Sequence, residues 1–194
     1  MFSGIIQGTG KIDKIELNNT IIKTNVDLSD CKIGSSISCN GVCLTANSVK
    51  KFNDNNFIFS VNISEETKNR STFHSQKLSK IINIEKSLKV GDEISGHFVY
   101  GHVDCITQIS RIQKLESSWI FEFIINDEMK KFIVEKGSIS INGISLTIAN
   151  TSLDNFTISV IPYTYDNTNL KTSKANDLVN IEFDALARYI VKND

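Results

Sequence analysis

The sequence predicts an all-β protein built from two small, similar antiparallel barrels. Three observations carry that expectation. NGVCLT at 40–45 returns as NGISLT at 142–147, so the chain is internally duplicated. Short stretches rich in Ile, Val, Phe and Thr, such as SISCNGVCLTANSV and FIFSVNIS, alternate apolar with polar residues at the period of half-buried strands. Gly, Asn and Asp turns separate these stretches, with no helices between them of the length a parallel α/β sheet requires.

The duplication runs well beyond one motif. GSSISCNGVCLTANS (34–48) aligns with KGSISINGISLTIAN (136–150) at an offset of 102 residues. KIDKI (11–15) matches QISRI (108–112), and IINIEK (81–86) matches LVNIEF (178–183), both at an offset of 97. SVN (60–62) followed by Thr67 aligns with SVI (159–161) followed by Thr164. Small changes of offset between collinear blocks are what inserted loop residues leave in a duplicated domain. A chain of 194 residues therefore holds two halves of about 95 residues, each able to enclose a small core.

Local signals refine the halves. NDNN at 53–56 reads as a turn. Three short helices are expected: one opening at Ser64 with Glu65 and Glu66 in its first turn, one from about Asp127 to Glu135 ending at Gly137, and one after Asp184. In the last of these, Leu186, Tyr189 and Ile190 share one face, and so short an apolar helix needs a partner surface.

Composition excludes several function classes. Hydrophobic residues at 40% and charged residues at 22% are those of a soluble globular protein, and nothing reads as spanning a bilayer. A net charge of −1 supplies no basic face for nucleic acid, so a small neutral or weakly anionic ligand is the expected partner. The opening MFSGIIQGTGKIDKI lacks the pattern of a secretory leader, which points to the cytoplasm. Cys31, Cys39, Cys43 and Cys105 are expected as free thiols. With no CxxC, and with His74, His97 and His102 out of ligand spacing, no metal site is expected.

MFSGIIQGTG, the pair NGVCLT and NGISLT, the run GHFVYGHVD, and the endings IPYT and VNIEFD together resemble the riboflavin synthase family over essentially the whole chain. The resemblance implies two six-stranded Greek-key barrels, at 1–96 and 97–184, and a C-terminal helix at 185–194 through which three chains associate. It implies dismutation of two 6,7-dimethyl-8-ribityllumazine molecules, one giving a four-carbon unit to the other, with riboflavin and 5-amino-6-ribitylamino-pyrimidinedione as products. Neither metal nor organic cofactor is implied. Two identical substrates call for two similar pockets, and the reaction is implied where the first barrel of one chain faces the second barrel of its neighbour.

The resemblance places a binding set on each barrel. For the first it gives Phe2, Gly4, Ile5, Ile6, Ser36, Cys43, Leu44 and Thr45, with Asn62, Ile63, Ser64, Glu65, Glu66 and Thr67. For the second it gives Gly101, His102, Val103, Lys136, Ser145, Leu146 and Thr147, with Ser159, Val160, Ile161, Pro162, Tyr163 and Thr164. Chemistry is expected from Cys43, His102, Ser145, Thr147 and Asp184. A thiol is partly ionised near neutrality and nucleophilic where a hydroxyl is not, so Cys43 and Ser145 are expected to do different jobs. His102 is placed on the first strand of the second barrel as a proton shuttle, and His97, five residues away on that strand, is expected to face the other side. Asp184 either lies near the reacting rings or caps the last helix. Asn142 departs from the family's common Asp, and the chain's end at Asp194 leaves a shorter helix than in many relatives. Two rival readings stand beside the enzyme: a non-catalytic lumazine or flavin carrier of the same fold, and a small barrel that binds oligonucleotide or sugar.

Overall fold

The structure is a computed structural model, and it describes residues 1–16, 19–74 and 81–191. Among these residues twelve strands close into two antiparallel barrels. The first contains β1 (Gly8–Glu16), β2 (Asn19–Thr24), β3 (Ser36–Cys39), β4 (Val42–Asn53), β5 (Asn56–Asn62) and β6 (Ile81–Lys86), in the spatial order β1-β2-β5-β4-β3-β6. The second contains β7 (Cys105–Lys114), β8 (Trp119–Ile124), β9 (Ser138–Ile141), β10 (Ile144–Thr151), β11 (Asn155–Val160) and β12 (Leu178–Phe183), in the same cyclic order. The runs β6-β3-β4-β5 and β12-β9-β10-β11 are Greek keys. Alternate side chains fill each interior: Ile22, Phe59, Val61, Ile82 and Ile84 in the first, and Phe121, Phe123, Phe156, Ile158 and Ile181 in the second.

Register corrects one part of the repeat alignment. Ala46 pairs with Val61 and Ile148 with Ile158, so the second hairpin is shorter between equivalent partners. The strand β11 therefore matches β5 at an offset of 97, and the counterpart of Asn62 is Ser159 rather than Ile161.

The Asn-Gly pairs do two things. Asn40 and Gly41 take φ of 48° and 79°, and Asn142 and Gly143 take 48° and 82°, the left-handed sequence of a type I′ hairpin turn. They also meet tip to tip. A Cβ on Gly41 would lie 2.6 Å from the Gly143 nitrogen, and one on Gly143 would lie 2.8 Å from the Gly41 nitrogen. Turn conformation and contact both demand glycine.

Around this contact the barrels exchange buried hydrogen bonds. In β6 and β12 the residues between the core positions are themselves buried, because the outward strand face is covered too. Asn83 Nδ2 donates to Asn142 O and to Asn169 Oδ1, both at 3.0 Å, and Asn180 Nδ2 donates to Asn40 O at 2.8 Å. Asn180 Oδ1 accepts the Thr72 N–H at 2.8 Å, and Asn83 Oδ1 accepts that of Asn169 at 2.7 Å.

The helices follow local capping chemistry. Ser64 Oγ accepts the Thr67 N–H and caps α1 (Glu65–Arg70), as its sequence predicts. The second, α2 (Asp127–Lys130), is capped by Asn126 and is shorter than the expected 127–135. After it the chain tightens into i→i+3 bonds, Phe132 N to Met129 O and Ile133 N to Lys130 O, which turns Met129 and Ile133 into the second core. Unexpected is α3 (Pro162–Asn167), which opens on a proline at its first turn and is the counterpart of α1. Asp184 Oδ1 accepts the Leu186 N–H at 2.9 Å at the start of α4 (Ala185–Val191); positions 192–194 of the expected helix lie outside the described residues.

Asn180→Ala is expected to strand the buried Thr72 N–H and Asn40 carbonyl. At about 1–3 kcal/mol for each unsatisfied group, the loss is about 2–6 kcal/mol, read as a shift of the denaturant midpoint.

Candidate active site

Two short arms build the site, and each serves the barrel it does not lead into. Residues 2–6 precede the first barrel and residues 99–103 precede the second. They cross where Phe2 N donates to Val99 O at 2.7 Å and Val99 N to Phe2 O at 3.1 Å. Beyond the crossing, the Ser145 N–H bonds Gly4 O and the Cys43 N–H bonds Gly101 O, each at 2.8 Å. A Cβ on Gly4 would lie 2.6 Å from Ser145 Cβ, and one on Gly101 equally 2.6 Å from Cys43 Cβ. Ile6 packs on the second core and Val103 on the first. Gly4, Ile5 and Ile6 thus belong with the second barrel, and Gly101, His102 and Val103 with the first, the reverse of the expected grouping. Phe2 is fully buried at the crossing.

The first pocket is a cavity of about 390 Å³, a size that takes a bicyclic heterocycle. Of the expected residues it brings together Cys43, Glu66, Thr67, Gly101, His102 and Val103, and it adds Val42, Arg70, Ser71, Asp104 and Arg188. Arg188 reaches in from α4: its Nη2 donates to Asp104 Oδ2 at 2.8 Å and to His102 O at 3.3 Å, while its buried Nε has no hydrogen-bond partner among the described residues. Burial pushes the Asp104 carboxyl up, against the Phe183 N–H and the Arg188 guanidinium, which pull it down. His102 lies ahead of β7 rather than on it, and it lines the Cys43 pocket.

On the second barrel, Ser145 Oγ and His97 Nδ1 are 2.7 Å apart. Burial holds the half-buried imidazole below the usual histidine range, opposed by the charge of Asp184. His97 was expected to face away, by counting alternate residues on a strand. The segment is an arm with a glycine at φ +78°, so strand alternation does not apply. A usable signal stands in GHFVYGH: each Gly-His pair abuts one of the two repeat positions. A Cβ on Gly96 would lie 2.8 Å from Ser145 Oγ, as Gly101 lies against Cys43.

Other expected residues are dispersed. Leu44, Ile63, Leu146 and Val160 are buried in the barrel interiors. Thr45 and Thr147 are exposed on the outer strand faces beside Cys43 and Ser145, and Ser36 pairs with Thr45 across β3 and β4. Asn62, the last residue of β5, and Ser159, one residue before the end of β11, are exposed, and Lys136 holds an exposed left-handed turn at φ 66°. Ser64 is engaged in the α1 cap and Glu65 in an ion pair with Lys68. Ile161, Pro162 and Tyr163 are exposed at the start of α3, and Thr164 O accepts the Thr168 hydroxyl at 2.7 Å.

Comparison with known proteins follows this duplicated geometry. The family model for the lumazine binding domain matches twice, at residues 3–87 and 100–184. Riboflavin synthase of Brucella abortus is 37% identical over 99% of this chain and 97% of its own length, and that of Actinobacillus pleuropneumoniae is 36% identical over 98% and 88%. The chain belongs to the riboflavin synthase family. The fold is shared with LumP complexed with riboflavin (TM-score 0.78, 24% identity) and with LumP complexed with 6,7-dimethyl-8-(1'-D-ribityl) lumazine (TM-score 0.76, 23% identity). Each comparison covers 94% of this chain and 99% of LumP.

The four cysteines are free, and they differ in reach. Burial holds the Cys31 and Cys39 thiols above the ordinary range and pushes Cys105 up to about 12, whereas Cys43 opens on the cavity. Alkylation at neutral pH is therefore expected to fall first on Cys43, with Cys39 last, as read by peptide mass spectrometry.

Proposed function

We propose that this chain is a transferase that dismutates 6,7-dimethyl-8-ribityllumazine: one molecule passes a four-carbon unit to a second, giving riboflavin and 5-amino-6-ribitylamino-pyrimidinedione. The observation that carries this reading is the pair of equivalent sites on β4 and β10, each walled by the other half's arm, one holding a thiol and the other a hydroxyl bonded to an imidazole.

The donor loses a proton from its C7 methyl, and the carbanion, delocalised into the ring, attacks the acceptor. Holding two rings in register is the main contribution, since orientation alone is worth up to about 7–11 kcal/mol in favourable cases. Cys43 Sγ serves as nucleophile or proton-transfer group on one ring. Ser145 Oγ, hydrogen-bonded to neutral His97, has a base at hand to take its proton when it polarises or adds to the other. Asp184 acts on His97 through its charge, and His102 and Thr147 complete the polar lining of their respective sites. Both sites open on outer barrel faces, which supports an assembly in which the first site of one chain meets the second site of a neighbour. The apolar α4 residues Leu186, Tyr189 and Ile190, exposed by 72%, 72% and 65%, support a homotrimer held by that helix. Among the described residues no helix is long and apolar enough to cross a membrane, and we place the enzyme in the cytoplasm.

Incubating the purified protein with the lumazine and following riboflavin absorbance tests the reading; binding without turnover would make the protein a carrier. Cys43→Ser is expected to lower kcat by at least about 100-fold with modest change in affinity, in line with removal of a positioned reacting group. The His97 shift sets the pH dependence. Its pKa is lowered, so the neutral ring persists below the usual 6.5, and activity is expected to fall only on the acid side of that value. His97→Gln is expected to abolish that acid limb in a kcat–pH profile.

A further inference from the structure

Each half carries an Asn-Ile-Glu triplet, at 83–85 and 180–182, whose glutamates have no part in the chemistry above. Both are nearly inaccessible, Glu85 at 1% and Glu182 at 3%. Their hydrogen bonds go to one arm apiece. Glu85 Oε1 accepts the Ser3 N–H at 2.8 Å and the Ser3 hydroxyl at 2.9 Å, and Oε2 accepts the Gly4 N–H at 3.1 Å. Glu182 Oε1 accepts the Tyr100 N–H at 2.7 Å, and Oε2 accepts those of Gly101 and His102 at 2.8 and 3.0 Å. Successive N–H groups converge because Gly4 and Gly101 are left-handed, at φ +77° and +78°, and such a concavity is completed by an anion. Burial holds both carboxyls above the ordinary carboxylate range, and the arm N–H groups, which bond the ionised form, oppose it.

We propose that Glu182 is a positioning residue for the Cys43 pocket and Glu85 for the Ser145 pocket, each acting on the barrel to which it does not belong. The carboxylate on β12 holds the turn that sets Gly101 O on the Cys43 N–H and aligns His102 and Val103 along the first cavity. The carboxylate on β6 holds the turn that sets Gly4 O on the Ser145 N–H and seats Ile6 on the second core. The Phe2–Val99 crossing fixes both arms just before these turns, so loss of one carboxylate frees a turn without releasing the arm. The inference rests on the proposed reading only for what the pockets bind.

The test uses full-length Glu182→Gln and Glu85→Gln. Without ligand, Glu182→Gln is expected to speed amide exchange about tenfold in residues 100–102 and to change the Cys43 alkylation rate at least about threefold, leaving residues 3–5 protected. Glu85→Gln is expected to do the converse, with Cys43 alkylation unchanged. With riboflavin as probe, protection of Cys43 is expected to need about tenfold more ligand in Glu182→Gln and no more in Glu85→Gln. Glu182→Asp, which keeps the charge one methylene short, is expected to fall between and takes over if the glutamine variant does not fold. Equal effects of the two variants on Cys43, or none, would overturn the proposal. Riboflavin that fails to protect Cys43 in the unaltered protein would instead overturn the assigned ligand, while the ligand-free exchange still decides the positioning role.

Discussion

Two backbone turns touch at Gly41 and Gly143, and that contact limits how the rest can be arranged. With no room for a Cβ on either side, the β3–β4 and β9–β10 hairpins meet at their tips. The outward faces of β6 and β12 must then be buried against the opposite half. A buried strand face cannot carry unpaired polar groups without cost, yet two all-apolar faces would slide over one another. Asn40, Asn83, Asn142, Asn169 and Asn180 resolve this by pairing amides and backbone groups in one relative placement. From that placement the two arms reach across, and the sites on β4 and β10 acquire their second walls.

Once the frame is reciprocal, the sites can differ. Position by position, 97 residues apart, Glu66 faces one pocket and Tyr163 stands in its place at the other, Arg70 is replaced by Asn167, His102 by Ile5 and Asp104 by Gln7. Arg188 joins the first pocket and His97 the second. One site is therefore lined by charges around a thiol, and the other is largely neutral around a hydroxyl–imidazole pair. Two molecules of one substrate bound in like shapes but unlike fields are pushed toward unlike reactivity, which is what a dismutation needs.

What the sequence made legible is local. The Ser64 cap and the Asp54–Asn55 turn announce themselves because each is a contact between near neighbours, and alternation with duplication yields two barrels, although the stretch 36–49, taken as strand, is broken at Asn40 and Gly41 into β3 and β4. The exchange of arms is invisible for a physical reason: the arms are equivalent in the repeat, so the residue pattern is the same whichever barrel each one walls. His97 was hidden by applying strand periodicity to a segment that is not a strand. Arg188 lies on a helix whose apolar face draws attention, and its bond to Asp104, 84 residues away, has no local signature. The helix α3 is six residues long and has no side-chain cap, so Pro162 in its first turn is its one local signal.

One break in the reciprocity shows which part of the frame is under strain. Asn169 sends its amide to Asn40 Oδ1 and receives that of Asn83, closing its side of the network. The residue in the matching place, 97 positions earlier, is Thr72, whose buried hydroxyl has no hydrogen-bond partner among the described residues. Beside it lies a cavity of about 230 Å³ lined by Asn40, Asn142, Asn169 and Thr172. The frame tolerates the gap because the Thr72 backbone still donates to Asn180, so the missing bonds are side-chain bonds on one side only. Had the backbone bond been lost as well, the Asn180 side chain would keep only its bond to Asn40 O, and the seam beside β12, from which Glu182 reaches the arm over Cys43, would be one buried bond weaker.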